Sequence, residues 1–100
     1  MPMPGEIKAY CSETVPPGWL LCDGSSCNTV EKLRLFKILG YKYGGQGETF
    51  NLPDLRDRML LGAGRRPNDT LRTIGQNSAK GMSASDEPEG SVVVTFLIKD

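Results

Sequence analysis

Apolar and polar residues alternate over residues 5–11, Gly-Glu-Ile-Lys-Ala-Tyr-Cys, with Ile7, Ala9 and Cys11 on one face and Glu6, Lys8 and Tyr10 on the other. A period of two with one apolar face predicts a half-buried strand. A turn follows from Ser12 to Gly18. Pro16 and Pro17 hold φ near the extended value and push their predecessors away from helix. Pro17-Gly18 reads as the centre of a type II turn, because glycine accepts the positive φ needed there. The next run, Trp19-Leu20-Leu21-Cys22, is too short for a helix and is closed by the turn pair Asp23-Gly24. The pattern therefore predicts a clamped turn feeding a short buried strand. Trp19 and Leu21 are its expected anchors, and Asp23 and Gly24 its end.

The one helical pattern follows, over Thr29–Leu39. Asn28 can cap it with Glu31 in a capping-box position, and Gly40 ends it where a left-handed residue usually sits. At about 100° per residue, Leu33, Leu35, Phe36, Ile38 and Leu39 spread over roughly 220° of the helix surface, whereas an ordinary surface helix shows an apolar stripe of about 100°. Two explanations fit: a central helix wrapped by the chain's own loops, or a second chain covering part of it.

Beyond the helix, Gly44, Gly45 and Gly47 predict a flexible loop, and Pro53 excludes helix. Phe50, Leu52 and Leu55 alternate with polar residues, and Met59-Leu60-Leu61 is a second short apolar run closed by Gly62 and Gly64. The chain is polar from Arg65 to Gly90, and residues 76–90 read as a long exposed loop, partly mobile. The end, Ser-Val-Val-Val-Thr-Phe-Leu-Ile-Lys-Asp, predicts a strand by its β-branched content. Its continuous apolar run implies burial on both faces, since such a strand left exposed is an aggregation hazard.

A chain of 100 residues makes a single domain, 1–100, that buries only part of the surface it exposes when unfolded. Lys plus Arg and Asp plus Glu are both 12, so the net charge is zero. That argues against nucleic acid or anionic lipid as a partner and is compatible with self-association. No run reaches membrane-spanning length, and no secretory signal pattern is present. Three cysteines, Cys11, Cys22 and Cys27, cannot all pair. They fit synthesis in a reducing cytosol with free, mostly buried thiols, a Cys11–Cys22 bridge being the alternative.

The absence of histidine bears most on chemistry. It removes the usual general base and the commonest metal ligand, and leaves a Cys or Ser nucleophile without its partner. The cysteines form no CxxC pair and lack a fourth ligand, so no zinc site, other metal or cofactor is expected. Gly-Gly-Gln-Gly-Glu-Thr-Phe follows a helix instead of a strand and has no Lys-Ser/Thr pair, so the mechanism of a phosphate-binding loop fails. In Pro-Asp-Leu-Arg-Asp-Arg, the charges of Asp54, Arg56, Asp57 and Arg58 alternate in sign. Such clusters commonly pair across a turn or a subunit boundary. Trp19, Tyr41 and Tyr43 have the chemistry to stack on a sugar, with core packing the commoner role for Trp19. No enzymatic activity is expected.

The stretches "GEIKAYC", "PPGWLLCDG", "LFKILGYKYGG", "FNLPDLRDRMLLGAG" and "VVVTFLIK" resemble, in this order, the bacteriophage tail collar domain, also found in the microcystin-dependent protein family. The resemblance runs from Gly5 to Lys99. The pairing of Pro-Gly-Trp-Leu-x-Cys-Asp-Gly with a later Leu-Pro-Asp-Leu-Arg is its specific part. It implies a module of phage tail fibres in which three chains associate side by side near a receptor-binding tip. Members often carry Gly where this chain has Asp57. Full-length short tail fibres also carry a tip with His-x-His pairs that hold metal, which does not carry over to a chain without histidine.

The resulting expectation is an α+β fold: a small turn-rich domain with short strands around one central helix and a C-terminal strand, assembled as a homotrimer. Phe36, Leu39, Asp54, Arg56 and Arg58 are the candidates for contacts between subunits, and Tyr41 and Tyr43 for contact with a ligand. The expected function is structural and adhesive, with a glycan or protein of the host-cell surface as partner, without nucleic acid or membrane insertion. The expected location is the virion tail fibre, after synthesis in the host cytoplasm. The alternative is a free-standing carbohydrate-binding protein built on the same module.

Overall fold

The turn before Trp19 closes as its prolines and glycine predict: the Trp19 N–H donates to the Pro16 carbonyl at 3.2 Å, with Gly18 at φ +85°. In the computed structural model, which describes residues 1–65, 71–76 and 91–100, this turn delivers the second of six strands. In chain order these are β1 (Ile7–Tyr10), β2 (Trp19–Leu21), β3 (Ser26–Asn28), β4 (Gly45–Gln46), β5 (Thr49–Asn51) and β6 (Thr95–Lys99), with helix α1 (Leu33–Leu39) between β3 and β4. They form two antiparallel three-stranded sheets, ordered β1-β6-β2 and β3-β5-β4. One helix beside two small sheets makes an α+β domain. Among the described residues no helix is long and apolar enough to cross a membrane.

The core lies where both sheets meet the helix. Leu35 and Leu39 come from α1, Phe50 from β5, Ile98 from β6, and Cys22 and Leu52 from the segments that follow β2 and β5. Leu20, Cys27, Phe36, Tyr43, Leu55 and Phe96 pack around them. Phe50, Leu52 and Leu55 therefore face the core as predicted, but Pro53 is fully buried as well, which breaks the strict alternation. The C-terminal strand is central in its sheet and buried on both faces: Ile98 lies opposite Ile7 and Leu20, Leu97 lies opposite Lys8 and Leu21, and neither is accessible.

That register decides the fate of Trp19. Paired residues share a face, so Leu20 joins Ile98 on the core side, and Trp19 and Leu21 fall on the opposite side. Trp19 is half-buried there, outside the core cluster, with the Lys8 ammonium 3.8 Å from its ring centroid. The expectation of Trp19 as a core anchor is corrected: it lies on the outer face of the sheet opposite Lys99, and Leu21 beside it is partly exposed. In β1 the exposures run against the apolar pattern, although the register sets Ile7 and Ala9 beside Ile98 and Phe96. Lys8 and Tyr10 are half-buried because they cover this outer face, while Ile7, Ala9 and Cys11 are exposed. Cys11 is therefore a surface thiol, and all three cysteines are free.

The helix is shorter than its periodicity. Asn28 Oδ1 accepts from the Val30 and Glu31 N–H groups at 2.8 and 3.0 Å, as a capping residue should. However, the Thr29 N–H donates to the Glu48 carbonyl at 2.9 Å, which ties the chain to the neighbouring hairpin. Helical dihedrals begin only after Lys32, whose ammonium meets Asp100 Oδ2 at 2.7 Å. Gly40 ends the helix at positive φ, although its ψ of −141° lies outside the left-handed helical region expected there. Leu35 and Leu39 face inward, Phe36 is half-buried, and Leu33 and Ile38 are exposed.

Two further expectations change. The glycine stretch is an ordered hairpin: β4 and β5 are joined through Gly47 and Glu48, with Gly45 opposite Phe50. A Cβ at Gly45 would lie 2.6 Å from the Phe50 Cα, and its φ is +101°. The terminal strand begins at Thr95, four residues later than the apolar run from Ser91, because its neighbours end there. Tyr10, the last residue of β1, sits opposite Thr95, and the chain after β2 turns away at Asp23-Gly24. Val92 and Val93 are left 83% and 88% exposed. The reading of residues 76–90 as a mobile loop lies, apart from Gln76, outside the described residues.

Candidate functional site

Asp23 and Gly24 do the structural work expected of them. Asp23 Oδ1 accepts from both the N–H and the hydroxyl of Ser25. Gly24, at φ +80°, lets the chain approach so closely that an added Cβ would lie 3.3 Å from the Asp54 Cβ. The approaching strip is Leu-Pro-Asp-Leu. The Leu52 N–H donates to the Ser25 carbonyl at 2.9 Å, the Leu55 N–H donates to the Cys22 carbonyl at 3.0 Å, and Asp23 and Asp54 form an isolated antiparallel bridge between them. Proline can occupy this strip because its missing donor falls between the two bonds.

The strip ends in a turn, closed by the Arg58 N–H on the Leu55 carbonyl at 3.3 Å. Its third residue, Asp57, has φ +58°, the only positive φ of a non-glycine residue among those described. Glycine is the residue a turn of this kind favours. The resemblance places glycine at this position in many members, so Asp57 keeps the turn and bears its strain. Arg56 folds back on Asp54 as a bidentate pair, with both N–H···O distances 2.8 Å. That hydrogen bonding pulls the Asp54 carboxyl down to about 2. The pair is exposed, so its net contribution to stability is small. Of the charged candidates, Arg56 thus pairs within its own turn, and Arg58 is half-buried beside it.

The turn borders an open groove of about 670 Å³. One wall is Leu55–Leu60 and the other is Ser91–Phe96, with Leu21 and Cys22 at the base and Glu13 at the rim. Met59 and Leu60 are exposed on one side, and Val92 and Val93 on the other. Sequence reasoning misses these residues as a site: the terminal valine run reads as a strand buried on both faces, Met59-Leu60-Leu61 reads only as a short apolar run closed by glycines, and the apolar excess points to the helix instead.

The remaining candidates are held within the chain. Leu39 is buried in its own core, a correction to its expected place between subunits. Phe36 sits edge-on to Tyr41 at 5.2 Å and tilted against Phe50 at 5.3 Å. The Tyr41 hydroxyl donates to the Gly47 carbonyl at 2.6 Å, and Tyr43 packs against the core. Burial, with Asp23 nearby, pushes the Cys22 thiol up to about 12, and burial also raises Cys27. A thiol so shifted is a poor nucleophile and a poor metal ligand. Among the described residues, no three His, Cys, Asp or Glu side chains cluster closely enough to hold a metal ion.

Residues 5–60 match the family model of the phage tail collar domain. No curated protein matches the chain. The matched region holds the Pro-Gly-Trp turn, the Asp23-Gly24 anchor, the helix and the Leu-Pro-Asp-Leu-Arg strip, and it leaves the terminal strand outside. It covers more than half of the chain, which therefore belongs to the phage tail collar domain family, a structural module of phage tail fibres.

Proposed function

We propose that this chain is a fibre-end domain of a phage or prophage-derived tail fibre, which assembles as a homotrimer, contacts a host-surface receptor and performs no catalytic step. The observation that carries the reading is the open apolar groove between Leu55–Leu60 and Ser91–Phe96. Among the described residues, more large hydrophobic side chains are exposed than buried. Scattered exposure of this kind is ordinary, but a contiguous patch rimmed by charges is the usual mark of an association surface. The number three comes from the family resemblance, because a twofold arrangement would cover the same surface.

Light scattering on a size-exclusion column tests the assembly. Three times the chain mass is expected; a monomer mass persisting at high protein concentration contradicts the reading, and a dimer contradicts its stoichiometry. The carbohydrate-binding alternative finds less support, since the Tyr41 hydroxyl already serves Gly47 and Tyr43 packs on the core. A glycan array read beside a Tyr43→Ala control separates the two: binding lost in the variant favours the alternative.

A further inference from the structure

We infer that Ser91–Val94 is an interface strand, and that the groove it borders is filled by apolar residues of a neighbouring copy of this chain. The inference rests on the assembly proposed above and goes beyond it by naming the surface. It starts from the backbone. β6 begins at Thr95, opposite the last residue of β1, so Ser91–Val94 lie beyond the end of both neighbouring strands. They make no backbone hydrogen bond to any described residue. Three successive valines favour extended backbone, and extended backbone with no ladder partner among the described residues is a template for pairing with another chain.

The side chains point to the same occupant. Leu21, Met59, Leu60, Val92 and Val93, all lining the groove, together expose on the order of 500 Å², against roughly 800 Å² for one partner of a standard interface. The rim carries Glu13 and Asp57 together with Arg56 and Arg58, so it offers both signs of charge to a neighbouring copy. With net charge zero, no long-range repulsion opposes their approach. A strongly acidic or basic partner would find no matching field at this face.

Amide hydrogen exchange of the full chain, read by mass spectrometry over a range of protein concentrations with the mass followed in parallel, tests the inference. The amides of Val92, Val93 and Val94 are expected to exchange freely in dilute monomer and to slow at least tenfold as the assembly forms. If the assembly forms while these amides stay unprotected, the inference fails and the assembly reading stands. If they are already protected in the dilute monomer, the chain covers the segment itself and the inference fails. If no assembly forms at any concentration, both fail, and the mass identifies that case.

Discussion

Asp57 shows how one residue can keep a turn that its side chain does not favour. The left-handed region costs an ordinary L-residue roughly 1–2 kcal/mol, and aspartate less than most. Glycine would remove that strain but loses more entropy on folding, by roughly 0.5–1 kcal/mol. The strain is the larger quantity, so Asp57→Gly is expected to stabilise the fold by about 0.5 kcal/mol, read as a raised urea midpoint with unchanged slope. A lowered midpoint would show that the Asp57 side chain supports the turn. The thiols give a second prediction at this scale. Cys11 is exposed, while Cys22 is buried with its thiol pushed up to about 12. Iodoacetamide at mildly alkaline pH should label Cys11 first and Cys22 only in denaturant; equal labelling rates in the folded protein would contradict this placement.

Among the elements, the pattern of the sequence was legible wherever local chemistry dominates. The Pro-Pro-Gly turn, the Gly40 stop and the burial of Phe50 and Leu52 take their predicted places, whereas Asn28 caps a turn ahead of the helix, whose own N-cap is Lys32. Failures arose where the answer depended on a strand's neighbours. The periodicity of β1 was right, but the face it buries is the one bearing Lys8 and Tyr10, because Leu97 beside it needs cover that no local pattern reveals. Trp19 was misplaced for the same reason: register, which turns on pairing with a strand far along the chain, assigns Leu20 to the core. Trp19→Ala is therefore expected to cost about 1–2 kcal/mol, against about 3–5 kcal/mol for Phe50→Ala in the core. Equal costs would restore Trp19 as an anchor. In the β4–β5 hairpin, Gly45→Ala would force a Cβ to within 2.6 Å of backbone atoms at a φ of +101°. It should destabilise by about 2 kcal/mol or more, and a neutral effect on the melting temperature would show that the hairpin gives way easily.

The whole molecule carries signatures of its own, the first in its pH dependence. Burial raises the Cys22 thiol from 9.0 to about 12. The folded chain therefore keeps a proton that the unfolded chain loses, and this contribution, full below pH 9.0, is lost as pH rises toward 12. Lys32, raised chiefly by its hydrogen bond to Asp100, acts in the same direction. Asp54 works on the acid side: its contribution is present above 3.8 and lost as pH falls toward 2, and it is small because the pair is exposed. Denaturant midpoints should be level near neutrality and fall above pH 9; a midpoint that rises there would contradict the burial of Cys22.

The candidate site was only half legible at this scale. Its arginine-aspartate turn was visible in the sequence, but the apolar groove depends on two segments more than thirty residues apart lying side by side. The excess of apolar surface was anticipated, yet it was assigned to the helix, whose Leu35 and Leu39 are in fact used inside the chain. The account thus holds that the surface left open by this fold, centred on Val93, is where copies of the chain meet. Sedimentation equilibrium of the native chain beside Val93→Asp tests that most directly. Val93 is almost fully exposed, so the substitution should leave the circular dichroism of the dilute chain unchanged. The account predicts three chains for the native protein and one for the folded variant; a native monomer, or a variant that assembles as well as the native chain, would contradict it.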